Sequence, residues 1–176
     1  ETPAIHYRLA DLLLENEAFG QAASEYEQIA YAYPAHERSA AAGYAAIFAH
    51  RKHQEVAPES QRESIRREAV ASTVRFVDRF PDHEHAATVL SVAVRDLFEL
   101  HEYAPAIELG RRLTSSYPNA EVGLRRSAWL VVAHASFETE QFAPAEEAYG
   151  EVLALTPADD ATRREIVNNL AAAIYK

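Results

Sequence analysis

A chain of 176 residues that is 48% hydrophobic has ample apolar material for a core, and its five glycines and Ala-rich texture argue against an all-β sandwich and for an all-helical chain. Its 17 Lys and Arg against 27 Asp and Glu leave a net charge of −10, which argues against nucleic acid as a partner because Lys and Arg supply most of that affinity. The absence of Cys excludes disulfides and thiol chemistry, and no stretch approaches the ~20 apolar residues of a membrane-spanning helix.

In chain order, helices are predicted near 3–16 and 19–32, with Tyr33-Pro34 closing the second. A third follows near 36–53, and the stretch from His53 to Ser60 reads as the one long loop, with Pro58 placed to open a helix near 59–79. Phe80-Pro81 closes that helix; the next two are predicted near 83–100 and 104–116 and end at Tyr117-Pro118. Helices near 120–138 and 143–155 end at Thr156-Pro157. The last, near 160–175, carries Ile166, Val167, Leu170 and Ile174 at helical spacing and reads as a capping helix or the start of a fifth unit. Because the chain has no Met, opens at Glu1 and stops at Lys176 inside a predicted helix, it is expected to be part of a longer protein.

Pro34, Pro81, Pro118 and Pro157 are spaced by 47, 37 and 39 residues, the period of a stacked repeat array. Twelve residues before each stands Ala22, Ala69, Ala106 or Ala145, a small residue where two helices must approach closely. Three residues before three of these alanines are Phe19, Tyr103 and Phe142, and five before the prolines are Ile29, Phe76, Leu113 and Val152. Eight before two of them are Tyr26 and Tyr149, while the other two positions hold Thr73 and Gly110.

This order resembles the tetratricopeptide repeat (TPR) signature. The last unit matches it best, with Trp129, Val132-Ala133, Ala145, Tyr149 and Pro157; the first supplies Leu9-Ala10, Phe19, Ala22, Tyr26 and Pro34, and the third Ala93-Val94, Tyr103, Ala106 and Pro118. The second departs, since Gly43 to Ala69 spans 26 residues where Ala10 to Ala22 spans 12, so its helices are longer or its turn carries an insertion. The resemblance implies an all-α, right-handed α-solenoid of about four helix pairs (3–34, 36–81, 83–118 and 120–157) plus the final helix, forming a single domain.

Catalytic and metal chemistry find no strong pattern. His50-x-x-His53 with Glu55, and His83-Glu84-His85, lack the H-E-x-x-H arrangement and read as solvated histidines at helix ends. There is no nucleophile elbow and no Gly-rich phosphate loop. No cofactor, metal or catalytic residue is therefore expected; a His-dependent metal hydrolase is the remote alternative. Arginine doublets at 66–67, 111–112, 125–126 and 163–164 read as solvated faces, three of them with acids near enough to pair along the helix.

In a TPR protein the first helix of each pair lines a concave groove, and the resemblance places Leu14, Ile47, Phe98 and Phe137 at one recurring groove position. Three residues earlier stand Asp11, Tyr44, Arg95 and His134, and four earlier again Tyr7, Ala40, Ser91 and Leu130, with acids following at Glu15, Glu99 and Glu138. The alternative is that the apolar stripe simply packs between neighbouring repeats. The carboxylate-clamp subtype carries Lys and Asn at early groove positions; Tyr7 and Asp11 stand there in this chain, which makes acidic C-terminal tails poor ligands. The function implied is a non-enzymatic protein-binding scaffold whose groove takes a protein or peptide of basic-amphipathic character. The alternative is self-association, or stacking onto other parts of its own chain. Units ending in aromatic-Pro also resemble those of bacterial envelope TPR proteins, which implies a periplasmic setting.

Overall fold

The computed structural model describes residues 3–176, and among these all regular structure is helical. In order, the helices are α1 (Pro3–Glu15), α2 (Phe19–Glu27), α3 (Ser39–Val56), α4 (Glu59–Arg79), α5 (Ala86–Glu99), α6 (Tyr103–Ser116), α7 (Val122–Glu138), α8 (Phe142–Ala154) and α9 (Arg163–Ile174), and α2 runs on through a π-helical turn at Gln28–Ala32. The described chain is an all-α repeat array in which α1, α2, α3 and α4 pack in sequence, as do α6, α7, α8 and α9. It divides into two compact units, one ending at Ala86 and the other beginning at Ala87.

In the first unit the core is built mainly from alanines: Ala10, Ala22, Ala23, Ala30, Ala42, Ala46 and Ala49 close around Tyr26 and Ile29. Side chains this small let helix backbones approach, and Gly43 continues the trend, since a Cβ there would lie 2.9 Å from the Phe76 ring. A polar strap ties three helices. Glu27 on α2 accepts from the Arg75 guanidinium of α4 at 2.9 Å and faces His50 Nε2 of α3 at 3.4 Å. The His50 hydrogen bond, with help from Ser72 and Arg75, holds the Glu27 carboxyl below its ordinary value despite its burial.

In the second unit Val132, Ala133, Ala145, Ala148, Tyr149, Val152, Ile166 and Ala173 form the core, so α9 supplies two of its side chains and is packed as a full member. Gly110 in α6 sits against Val132 and the Ala128 carbonyl of α7. The joint before α9 is held by Arg163, which donates to the carbonyls of Leu153 and Thr156, and by Arg126, which pairs with Asp160 at 3.0 Å.

The turns repeat two devices. After α1, α5 and α7, Glu17, His101 and Glu140 adopt left-handed backbone with φ near 58°, and each helix end closes by paired backbone bonds such as Glu17 N–H to Leu14 O and Ala18 N–H to Leu13 O. This is the Schellman closure, carried here on residues with a Cβ rather than on glycine. Before α3, α5 and α9, the side chains of His36, His83 and Asp160 accept from the N–H two residues on. That local bond competes with the helix, so these three helices begin at Ser39, Ala86 and Arg163, three residues later than predicted.

The long loop predicted from His53 to Ser60 is corrected. The helix continues to Val56, and only Ala57 and Pro58 separate α3 from α4, with the Ala57 N–H bonded to the His53 carbonyl. The extra length of the second pair is therefore taken up by the 18-residue α3 and the 21-residue α4.

Candidate partner-binding surface

The groove residues expected in the first unit split into braced and open ones. Tyr7 is half-buried, set edge-on to Tyr26 at 5.6 Å with the Arg38 guanidinium 5.5 Å over its ring. Asp11 accepts a 2.5 Å hydrogen bond from the Tyr26 hydroxyl, and Leu14 packs against the alanine core. Burial, then the neighbouring Asp11, pushes the Tyr7 phenol above its ordinary value. These three side chains brace α1 against α2.

On α3 the open residue is Tyr44, 37% exposed and stacked on His85 at 4.6 Å and on His83 at 5.9 Å. Ile47 is only 4% exposed, so at this position the packing alternative describes its surroundings. The apolar surface of α3 runs instead from Tyr44 to Phe48, which is 48% exposed and lies under Lys52. The i,i+4 spacing of Tyr44 and Phe48 was the signal available for it.

The second unit gathers its predicted residues. Phe98 lies between Tyr103 (5.5 Å) and His134 (6.2 Å), and His134 lies 5.6 Å from Tyr149, so a chain of rings runs from α6 through α5 and α7 to α8. Leu130 and Phe137 pack on the core cluster, Phe137 also meets Phe142 at 5.6 Å, and Arg95 stands exposed on α5.

A cavity of about 230 Å³ opens beside these rings, lined by His134, Phe137 and Glu138 of α7, Tyr149 of α8, and Asn169 and Ala172 of α9. Burial pushes the His134 imidazole below its ordinary value against the pull of Glu165 and Glu138, and pushes the Tyr149 phenol up to about 12. His134 Nε2 is buried without a hydrogen-bond partner. Tyr149 was marked by the sequence only as a residue of the repeat signature, and Asn169 and Ala172 were not marked at all, because no spacing along the chain links α9 to the face of α7.

The histidines singled out for metal chemistry each have a packed neighbour, and of them His50 is buried while the His85 side chain stays 43% exposed. His50 is 9% exposed and faces Glu27, the His53 ring lies against Gly20, and His83 and His85 stack on Tyr44. Among the described residues no group of three or more His, Cys, Asp or Glu is placed to hold a metal ion, and no helix is long and apolar enough to cross a membrane. Of the arginine doublets, Arg67 pairs along its helix with Glu63 at 3.7 Å. Arg111 and Arg126 instead reach acids on other segments, Glu147 and Asp160.

No family model and no curated protein matches the sequence. Among solved structures the chain is similar to a crystal structure from Podosopora anserina described as a kinesin light chain of nearly identical TPR-like repeats. The TM-score is 0.55 at 16% identity, over 99% of this chain and 88% of that one. The likeness is one of fold: the chain has the TPR-like repeat architecture that its resemblance to the TPR signature implied.

Proposed function

We propose that the chain is a non-enzymatic protein-interaction scaffold whose first-helix faces hold a partner segment carrying apolar anchors with Lys or Arg between them. The observation that carries this reading is the half-buried rings on α5 and α7 that are each followed in sequence by an exposed acid, Phe98 by Glu99 and Phe137 by Glu138, on a fold built to present extended surfaces. Tyr44 and Phe48 offer a similar apolar surface in the first unit. Desolvated anchors would hold the complex, and the net charge of −10 would guide a basic partner to it. Phe98→Ala and Phe137→Ala should leave the association rate unchanged and raise the dissociation rate by a factor worth about 1–2 kcal/mol each. Folded variants that bind the natural partner normally would sink the reading.

A second reading is supported by α1, where Ile5, Leu9 and Leu12, spaced as one helix face, are 60%, 43% and 55% exposed. Such a face suits stacking of another helix, from a second copy or from elsewhere in its own chain. Sedimentation over a concentration series distinguishes it: a monomer at all concentrations, unchanged by Leu9→Glu, removes self-association. The resemblance of the aromatic-Pro unit ends supports a bacterial envelope setting, which cell fractionation of the natural protein would test.

A further inference from the structure

The geometry points to the cavity between α7, α8 and α9 as a receptor for one cationic side chain of the partner, an arginine guanidinium or a lysine ammonium. The inference deepens the scaffold reading and rests on it. The pocket has a partly apolar wall in Phe137, Ala172 and Tyr149, a polar atom set in Asn169, and a carboxylate at its edge in Glu138. A second carboxylate, Glu165 on α9, stands outside the lining but acts electrostatically on two of the lining groups, His134 and Tyr149.

The sign of the guest follows. Burial disfavours the charged form of His134, Tyr149 keeps its proton, and the charged side chain in the lining is the Glu138 carboxylate, with the field of Glu165 added from outside it. An anion would meet Glu138 and the field of Glu165 with no cation among the lining residues to offset them, whereas an arginine brings several donors for Glu138 and for Asn169 and a planar face for the rings. The inference also gives α9 a role beyond covering the last pair: Asn169 and Ala172 form one wall, so the site is incomplete without it.

The test uses the whole chain and N-acetylarginine amide, followed by NMR on the Asn169 side-chain amide and the His134 and Tyr149 rings. N-acetyllysine amide serves as the second cation, and N-acetylcitrulline amide, a neutral analogue of the same shape, as the control. The expected result is saturable shifts at those groups with at least one cation and none with citrulline. Glu138→Gln and Glu165→Gln, both at exposed positions, should each weaken binding roughly two- to fivefold. Equal binding of citrulline, no saturable shift with either cation, or a double Gln variant that binds as the parent does would overturn the inference. The scaffold reading fails separately. A basic-amphipathic peptide that binds the parent and the double Gln variant alike, yet is weakened by Phe98→Ala, overturns only the pocket. Capped arginine binding at the pocket with no such peptide bound overturns only the scaffold.

Discussion

Gly110 and Gly150 offer one substitution in two surroundings within the second unit. Both lie inside helices, α6 and α8, where replacing Gly by Ala adds about 0.5–1 kcal/mol by removing backbone entropy from the unfolded chain. At Gly150 an added Cβ meets nothing within 4 Å, so the entropic gain stands alone and the variant should be more stable by about that amount. At Gly110 the same Cβ would sit 2.6 Å from Val132 Cγ2 and 3.3 Å from the Ala128 carbonyl. Val132 is fully buried and β-branched, which leaves it little freedom to rotate away, so α6 and α7 must separate. Overpacking of this kind costs about 1–3 kcal/mol. Gly110→Ala should therefore lie about 1–3 kcal/mol below Gly150→Ala, with a net loss against the parent of roughly 0–2.5 kcal/mol. Denaturant unfolding followed by fluorescence of Trp129, which packs on the core of the same unit, reads the difference as a shift in midpoint at constant slope. Equal stability of the two variants would refute the close approach of α6 and α7 at Gly110.

Three further outcomes follow from the turns, the strap and the alanine positions. Glu140→Gly should stabilise by about 0.5–1 kcal/mol, because relief of left-handed strain exceeds the entropic cost of glycine, and a loss in thermal unfolding would contradict the backbone assigned there. The Glu27 carboxyl is held low in the folded state, so its contribution is present above the unfolded carboxylate value and is lost as pH falls through the folded one. Stability of the parent should accordingly fall more steeply than that of Glu27→Gln as a urea-unfolding series descends below about pH 4.5, and parallel curves would refute the strap. Ala106→Leu, at a site with no exposed surface, should cost about 1–3 kcal/mol, and a change within about 0.5 kcal/mol would count against the repeat register.

Prolines and alanines were legible in the sequence because they act through covalent geometry and size, which need no knowledge of the neighbour. Ala22, Ala69, Ala106 and Ala145, picked out by spacing alone, all have no exposed surface. The left-handed turns were not legible, since Glu17, His101 and Glu140 carry no glycine to mark them. Late helix starts could have been read from His36, His83 and Asp160, whose side chains compete for backbone N–H groups. Site residues were harder, for a geometric reason: one residue is a rotation of about 100°, enough to bury Ile47 and expose Phe48 beside it. Distance along the chain hid the rest. His50 meets Glu27 across 23 positions, and the His134 cavity needs Asn169 from another helix.

The scaffold account is tested most directly by the affinity of the chain for two amphipathic peptides of identical apolar pattern, one with Lys and one with Glu between the anchors. The account predicts measurable binding of the Lys peptide, weakened by salt and by Phe98→Ala or Phe137→Ala, and no comparable binding of the Glu peptide. Equal affinity for both, or a preference for the Glu peptide, would contradict it.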